Sequence, residues 1–175
     1  LNDNERRMAM AKLDCSAVNC VYNKEKNLFS IGYDGQENRL SESHYDLFAS
    51  EARLTSYYAL MNRQIPVKHW ASLGRPVEKH RGSAVILGWS GTMFEYFMPH
   101  VFLPVFDGSF SQDMLDGILR LQRDSVPKNI PWGISESGYY DFDGGLNYQY
   151  RAFGIRKAAL RRDFSFPTVV SAYST

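Results

Sequence analysis

Ile130-Pro131-Trp132-Gly133-Ile134-Ser135-Glu136-Ser137-Gly138-Tyr139-Tyr140 sets one carboxylate, Glu136, between two serine hydroxyls, with Trp132 on one side and Tyr139 and Tyr140 on the other. Pro131 and Gly133 break a helix, so the segment reads as a loop or a short extended piece. Loops held on a rigid scaffold are where binding and catalytic residues concentrate. Aromatic faces beside a carboxylate suit a sugar. The apolar face of the ring stacks, its hydroxyls find hydrogen-bond partners, and the acid acts on the glycosidic oxygen. The competing reading is a tryptophan and two tyrosines packed into a core, with Glu136 as a capping or loop residue. The stretch by itself leaves both open.

Towards the N-terminus, the apolar spacing predicts helices. Residues 111–125 read as an amphipathic helix after the turn Asp107-Gly108-Ser109, with Met114, Leu115, Ile118, Leu119 and Gln122 along it. Residues 84–87 look extended, and Gly88-Trp89-Ser90-Gly91-Thr92 leads into a dense helix from Met93 to Met98 that Pro99 kinks or ends. Glu95 is a lone acid in that aromatic run, near the helix start, where the dipole favours its charge. The strongest helical signal covers residues 43–62, with Ser43 as its cap and Asp46 completing a shortened capping box. One face carries Leu47, Glu51, Leu54 and Tyr58, and another carries Tyr45, Phe48, Ala52, Thr55 and Ala59, which predicts burial between neighbours. Glu51 thus falls inside an apolar stripe. A carboxylate there must be paired, hydrogen-bonded or shifted in pKa, because a bare buried charge is costly. A structural salt bridge and a catalytic role both account for it.

The remaining segments are shorter. Residues 4–21 read as a helix with a loose stripe of Met8, Ala11, Leu13, Cys15 and Val18. A polar turn over 22–27 and a strand over 28–33 make a small hairpin, followed by a polar loop over 34–43. Pro66 opens a short helix through His69, Trp70 and Leu73, and residues 78–83 are a polar turn. His100 has no cysteine, histidine or carboxylate at metal-ligand spacing and reads as structural. Beyond the opening stretch, Asp141-Phe142-Asp143-Gly144-Gly145 is turn chemistry without the full ligand set of a calcium loop. Residues 147–154 hold a second sugar-friendly cluster of aromatic and amide groups, and a short helix is predicted around 157–162.

Composition excludes several functions. The 175 residues fit one domain able to bury a core. A net charge of +1 leaves no electrostatic footprint for nucleic acid or an anionic membrane. No apolar run approaches the length of a membrane helix, so direct membrane insertion is not expected. Cys15 and Cys20 allow one disulfide, and a reduced chain accounts for them equally well. The first residue is Leu, which reads as an excised segment of a longer protein. There is no P-loop, dinucleotide fingerprint or nucleophile elbow.

Five blocks taken together resemble the glycoamylase-like domain found in the middle of bacterial cyclic β-1,2-glucan synthases. They are residues 43–54, residues 69–75, Trp89-Ser90-Gly91-Thr92-Met93-Phe94-Glu95-Tyr96, residues 131–137, and Tyr148-Gln149-Tyr150-Arg151-Ala152-Phe153-Gly154. The resemblance covers residues 28–175. It implies a mainly α fold, an (α/α)6 toroid of which residues 1–175 are an incomplete part, with the small β-hairpin as decoration. It implies action on linear β-1,2-glucan chains, closed into rings by transglycosylation with retention of configuration. It also implies partner domains in a larger membrane-bound synthase, placed at the cytoplasmic face of the bacterial inner membrane, with both cysteines unpaired. Arg156-Lys157-Ala158-Ala159 departs from the Pro-Gly-rich turn usual at that point of the family.

Glycosidic cleavage needs a proton donor and a second carboxylate. Glu136, in an aromatic setting, suits the acid/base role. Glu51 and Glu95 compete for the second; the resemblance favours Glu51 as nucleophile, with Glu95 orienting substrate. Trp89, Trp132, Tyr139, Tyr148, Gln149, Tyr150 and Arg151 are expected to line the sugar subsites. Neither metal nor organic cofactor is required. An inverting endo-β-glucan hydrolase and a non-catalytic glucan-binding scaffold remain as alternatives. A carboxyl separation of about 5 Å fits retention and one of roughly 6.5–9.5 Å inversion, while the scaffold is favoured where the three glutamates do not converge on one cleft.

Overall fold

A computed structural model describes residues 2–14, 17–165 and 167–175. The chain divides into two compact units, residues 1–46 with 54–74, and residues 47–53 with 75–175.

In the first unit α1 (Asp3–Asp14) starts behind Asn2, whose side chain accepts from Glu5 N at 2.9 Å while the Glu5 carboxylate accepts from Asn2 N at 2.8 Å. This is a reciprocal cap. The helix predicted over 4–21 is therefore shorter: a 3-10 turn occupies Asn19–Val21, and Met8 is exposed rather than packed. Cys15 lies outside the described residues, and Cys20 is a free, exposed thiol. Five two- or three-residue strands follow: β1 (Tyr22–Asn23), β2 (Leu28–Ser30), β3 (Tyr33–Asp34), β4 (Arg39–Leu40) and β5 (His44–Tyr45). They form an antiparallel β1-β2-β5 sheet and a separate β3–β4 hairpin, which starts at the last residue of the strand predicted over 28–33 and otherwise lies in the segment read as a polar loop. With α2 (Arg53–Met61) and α3 (Lys68–Ser72) they enclose a small core of Tyr22, Phe29, Ala59 and Ile65. His69 of α3 is fully buried there. Its ring nitrogens lie 2.9 Å from Asn27 O and 2.8 Å from Ser56 Oγ, and burial pushes its pKa down, which keeps it neutral.

The second unit contains the longest elements of the chain. β6 (Val77–His80) and β7 (Ser83–Ile86) form a hairpin whose two turn residues, Arg81 and Gly82, both have positive φ. That is the primed-turn geometry favoured by strand twist. α4 (Met93–Phe97) runs into a 3-10 turn over Met98–Val101, with Pro99 at its start. α5 (Phe110–Ser125) begins at Ser109, whose hydroxyl accepts from Gln112 N, and it packs across β7. β8 (Glu136–Phe142) pairs antiparallel with β9 (Tyr148–Ala152), in the register Glu136 to Ala152 and Gly138 to Tyr150, with an irregularity between Tyr139 and Phe142. Met114, Ile118 and Leu121 of α5 are buried with Val85, Tyr96 and Phe153.

The mainly α toroid expected from the resemblance is overturned. The structure is 33% helical and 23% strand, with four small sheets and five α-helices among the described residues. The largest single change lies in residues 43–62. Ser30 pairs with His44, Phe29 with Tyr45, and Ala49 bridges Gly88, so the backbone of 43–49 makes strand-type bonds and cannot also make helical ones. The helix starts only at Arg53, behind Ser50, whose hydroxyl accepts from Ala52 N at 3.2 Å. The opening stretch differs too. From Glu136 onward it is a strand paired with β9, with Phe142 opposite Tyr148, and aromatic residues such as these favour a pleated surface. The helix predicted around 157–162 is a 3-10 turn over Arg156–Ala158, after which Ala159 bridges Gly88 in extended form.

Candidate functional site

The segment that delivers Glu136 is held on both sides. Gln122 of α5, fully buried, donates from Nε2 to Ile134 O at 2.9 Å and accepts at Oε1 from Ile134 N at 3.0 Å. A side-chain amide thus substitutes for a neighbouring strand. On the other side Ile134 bridges Val170, and Ser171 N donates to Gly133 O. The Ser171 hydroxyl donates to Ser135 O at 3.0 Å, and the Tyr173 hydroxyl donates to Glu136 O at 3.0 Å. Ser135, also fully buried, accepts at Oγ from Phe94 N at 3.0 Å, tying the segment to the start of α4. Ser135 stands out in the sequence only as a hydroxyl beside Glu136, and the sequence assigns no role to Ser171 or Tyr173. Gln122 carries a faint one, as an amide on an apolar helical stripe.

Glu136 faces a cavity of about 790 Å³ whose walls include Trp132, Phe94, Phe97, Tyr150 and Tyr173. Its carboxylate accepts at Oε2 from the Tyr150 hydroxyl at 2.6 Å. That bond, with some burial, pushes the Tyr150 pKa up to about 12, so the Tyr150 hydroxyl keeps its proton and stays a donor to the Glu136 carboxyl group. The Arg123 guanidinium lies over the Trp132 ring, 5.1 Å from its centroid. One end of this cavity is therefore a carboxylate held by a phenol, and much of the rest is aromatic or apolar wall.

Glu95 is placed differently. It is 5% exposed and completes a capping box with Thr92 at the start of α4. Its Oε1 accepts from Ser90 N at 2.8 Å and its Oε2 from Thr92 N at 2.7 Å, and Gly88 lets it sit so close that a Cβ there would lie 3.1 Å from its carboxyl carbon. Burial pushes its pKa up, and the charge of Glu51 adds to the rise, whereas the two backbone donors oppose it. Glu51 itself is half-buried, precedes α2, and accepts from the Ser50 hydroxyl at 3.3 Å. The structure thus brings Glu51 and Glu95 within electrostatic reach of each other, and neither is among the residues that line the Glu136 cavity.

The predicted subsite residues divide similarly. Trp132 and Tyr150 line the cavity. Tyr148 is exposed on β9, and Tyr139 packs edge-on against Phe153 with centroids 5.1 Å apart. Gln149 is half-buried and donates to Asn147 O, Arg151 is exposed, and Trp89 is 61% exposed away from the cavity lining. Sequence reasoning passed over Arg53, which is almost fully buried. It donates to Phe48 O at 3.1 Å and to Tyr96 O at 3.0 Å, and lies 3.2 Å from the His100 ring. Burial and that guanidinium push the His100 pKa down, consistent with the structural role read for it. Among the described residues no group of His, Cys, Asp and Glu has the makings of a metal site, and no helix is long and apolar enough to cross a membrane.

No protein-family model matches the chain. Over 156 residues, 89% of its length, the chain is 36% identical to the cyclic β-(1,2)-glucan synthase NdvB of Rhizobium meliloti (strain 1021) and is related to it. The chain spans 6% of the length of that relative.

Proposed function

We propose that this chain is a carbohydrate-acting part of a larger membrane-bound glucan synthase, in which it cleaves β-1,2-glucan chains and transfers them so as to close them into rings. The observation that carries this reading is the Glu136 carboxylate, held by Tyr150 at one end of an aromatic-walled cavity. The 36% identity to a protein named for making cyclic β-(1,2)-glucan supports the choice of substrate. In such a protein the segment works at the cytoplasmic face of the inner membrane.

In this reading Glu136 gives a proton to the leaving glycosidic oxygen, and a second carboxylate attacks the anomeric carbon to form a glycosyl ester. Glu136, now ionised, removes the proton from a hydroxyl at the far end of the same chain, whose oxygen displaces the ester and closes the ring with net retention. Glu95 already accepts from two backbone amides and shapes the loop from Ser90 to Thr92, which makes it a positioning residue. Glu51 is the remaining carboxylate and takes the nucleophile role. The hydrogen bond from Tyr150 fixes the Glu136 rotamer between its two tasks.

Glu136→Gln is expected to lose on the order of 10²–10⁴-fold in turnover of linear β-1,2-glucan while keeping affinity, because the amide preserves shape but has no proton to give. With an activated leaving group the first step recovers, a sugar accumulates on Glu51, and azide restores turnover. Glu51→Gln shows neither rescue. Ordinary turnover by Glu136→Gln, or a sugar trapped on Glu95, would sink the assignment. Because Glu51 and Glu95 do not line the cavity, a glucan-binding role without catalysis is the second reading; glucan affinity with no turnover in the wild-type chain selects it.

A further inference from the structure

We propose that one face of the β8–β9 hairpin is a binding track for an extended glucan chain, running outward from Glu136 beyond the cavity. The proposal rests on the carbohydrate reading above and adds a second binding region to it. Strand pairing determines which side chains share a face. Glu136, opposite Ala152, and Gly138, opposite Tyr150, lie on the same face as Tyr148, two residues from Tyr150, and Phe142, opposite Tyr148. The face therefore runs from the carboxylate to Tyr150, then to Tyr148 and Phe142, with Tyr140, in the irregular stretch just before Phe142, packed against Phe142.

The rings are exposed and held in place. Tyr150, Tyr148 and Tyr140 are 64%, 62% and 88% exposed, which is unusual for a run of aromatics within one hairpin. Phe142 meets Tyr148 edge-on at 5.0 Å and Tyr140 edge-on at 5.5 Å, so the distal rings brace one another. Gly138 leaves the face open beside Tyr150: a Cβ there would come no closer than 3.8 Å to any atom outside its chain neighbours. Tyr150 and Tyr148 are two residues apart on one strand, a rise of roughly 7 Å.

Three observations select a glucan over other occupants. The track is continuous with the Glu136 cavity, because Tyr150 lines the cavity and bonds the carboxylate. Its rings carry phenol hydroxyls, which offer both an apolar face and a hydrogen-bonding edge, the pair of contacts that a pyranose presents. The hairpin carries three carboxylates, Glu136, Asp141 and Asp143, against one arginine, Arg151, which disfavours an anionic lipid surface.

The test uses the full 175-residue chain carrying Glu136→Gln, so that binding is read without turnover, and a length series of linear β-1,2-glucans in calorimetry. Long chains are expected to bind more tightly than short ones that fill only the cavity. Adding Tyr148→Ala or Tyr140→Ala should lower affinity for long chains roughly tenfold, leave short-chain affinity much less affected, and leave the melting temperature in place. Tyr148→Phe should restore most of the loss, since the ring remains. Equal losses at both lengths, no loss at either, or preferential binding of phosphatidylglycerol vesicles would overturn the track. Turnover of glucan by the wild-type chain together with length-independent binding removes the track alone, whereas absence of any glucan binding removes the carbohydrate reading with it.

Discussion

Glu95 shows how burial and backbone donors divide the energetics of one carboxylate. Burial raises its pKa above the ordinary 4.5, so between the two values the folded protein holds a proton that the unfolded chain has released. The contribution of this group to stability is therefore greatest below 4.5 and falls as the pH rises through that window. Glu95→Gln removes the titration and flattens that part of the curve. It also places an amide NH2 against either Ser90 N or Thr92 N, leaving two donors face to face, which costs about 1–3 kcal/mol. Urea unfolding of both proteins over a pH series reads the two effects separately. Equal slopes in the variant and the parent would show that Glu95 does not titrate in this window.

At the scale of elements, α5 and β7 come closest at Gly117, which puts no side chain between them. Gly117 lies so close to β7 that a Cβ there would fall 2.3 Å from Ala84 O, far inside any real contact. In an exposed helix interior Gly→Ala stabilises by about 0.5–1 kcal/mol. Here the sign is expected to reverse, with Gly117→Ala costing about 1–3 kcal/mol as helix and hairpin are forced apart. A midpoint shift to lower denaturant at unchanged slope checks this, and a gain in stability would mean that the two elements separate at little cost. The same close seating carries over to the candidate site, because Gln122, one turn further along α5, holds Ile134 and hence the segment that presents Glu136.

For the whole molecule, two units each hold a modest core, and secondary structure is shared between helix and strand rather than concentrated in helices. Far-UV circular dichroism of the chain is expected to give about a third helix and a quarter strand, in keeping with the 33% and 23% of the structure. A spectrum dominated by helix would contradict this division of secondary structure.

Local chemistry sufficed for much of this chain. The amphipathic spacing of Met114, Leu115 and Ile118 marks α5, the lead-in from Gly88 to Thr92 and the breaker Pro99 bracket α4, and the polar turn after Tyr22 marks the first hairpin. Each of these depends on residues within a few positions of one another. The aromatic surroundings of Glu136 were legible for the same reason, since Trp132 is its near neighbour in sequence and Tyr150 lies in the next aromatic cluster. Residues 43–52 show the opposite case. Their apolar spacing fits a helix, but Phe29, Ser30 and Gly88 claim their backbone from elsewhere in the chain, and periodicity does not register a distant strand partner. The same holds for Gln122, Ser135, Ser171 and Tyr173 around Glu136, and for the separation of Glu51 and Glu95 from its cavity. Which carboxylates share a space is decided by pairings across tens of residues, and only the tertiary structure contains them.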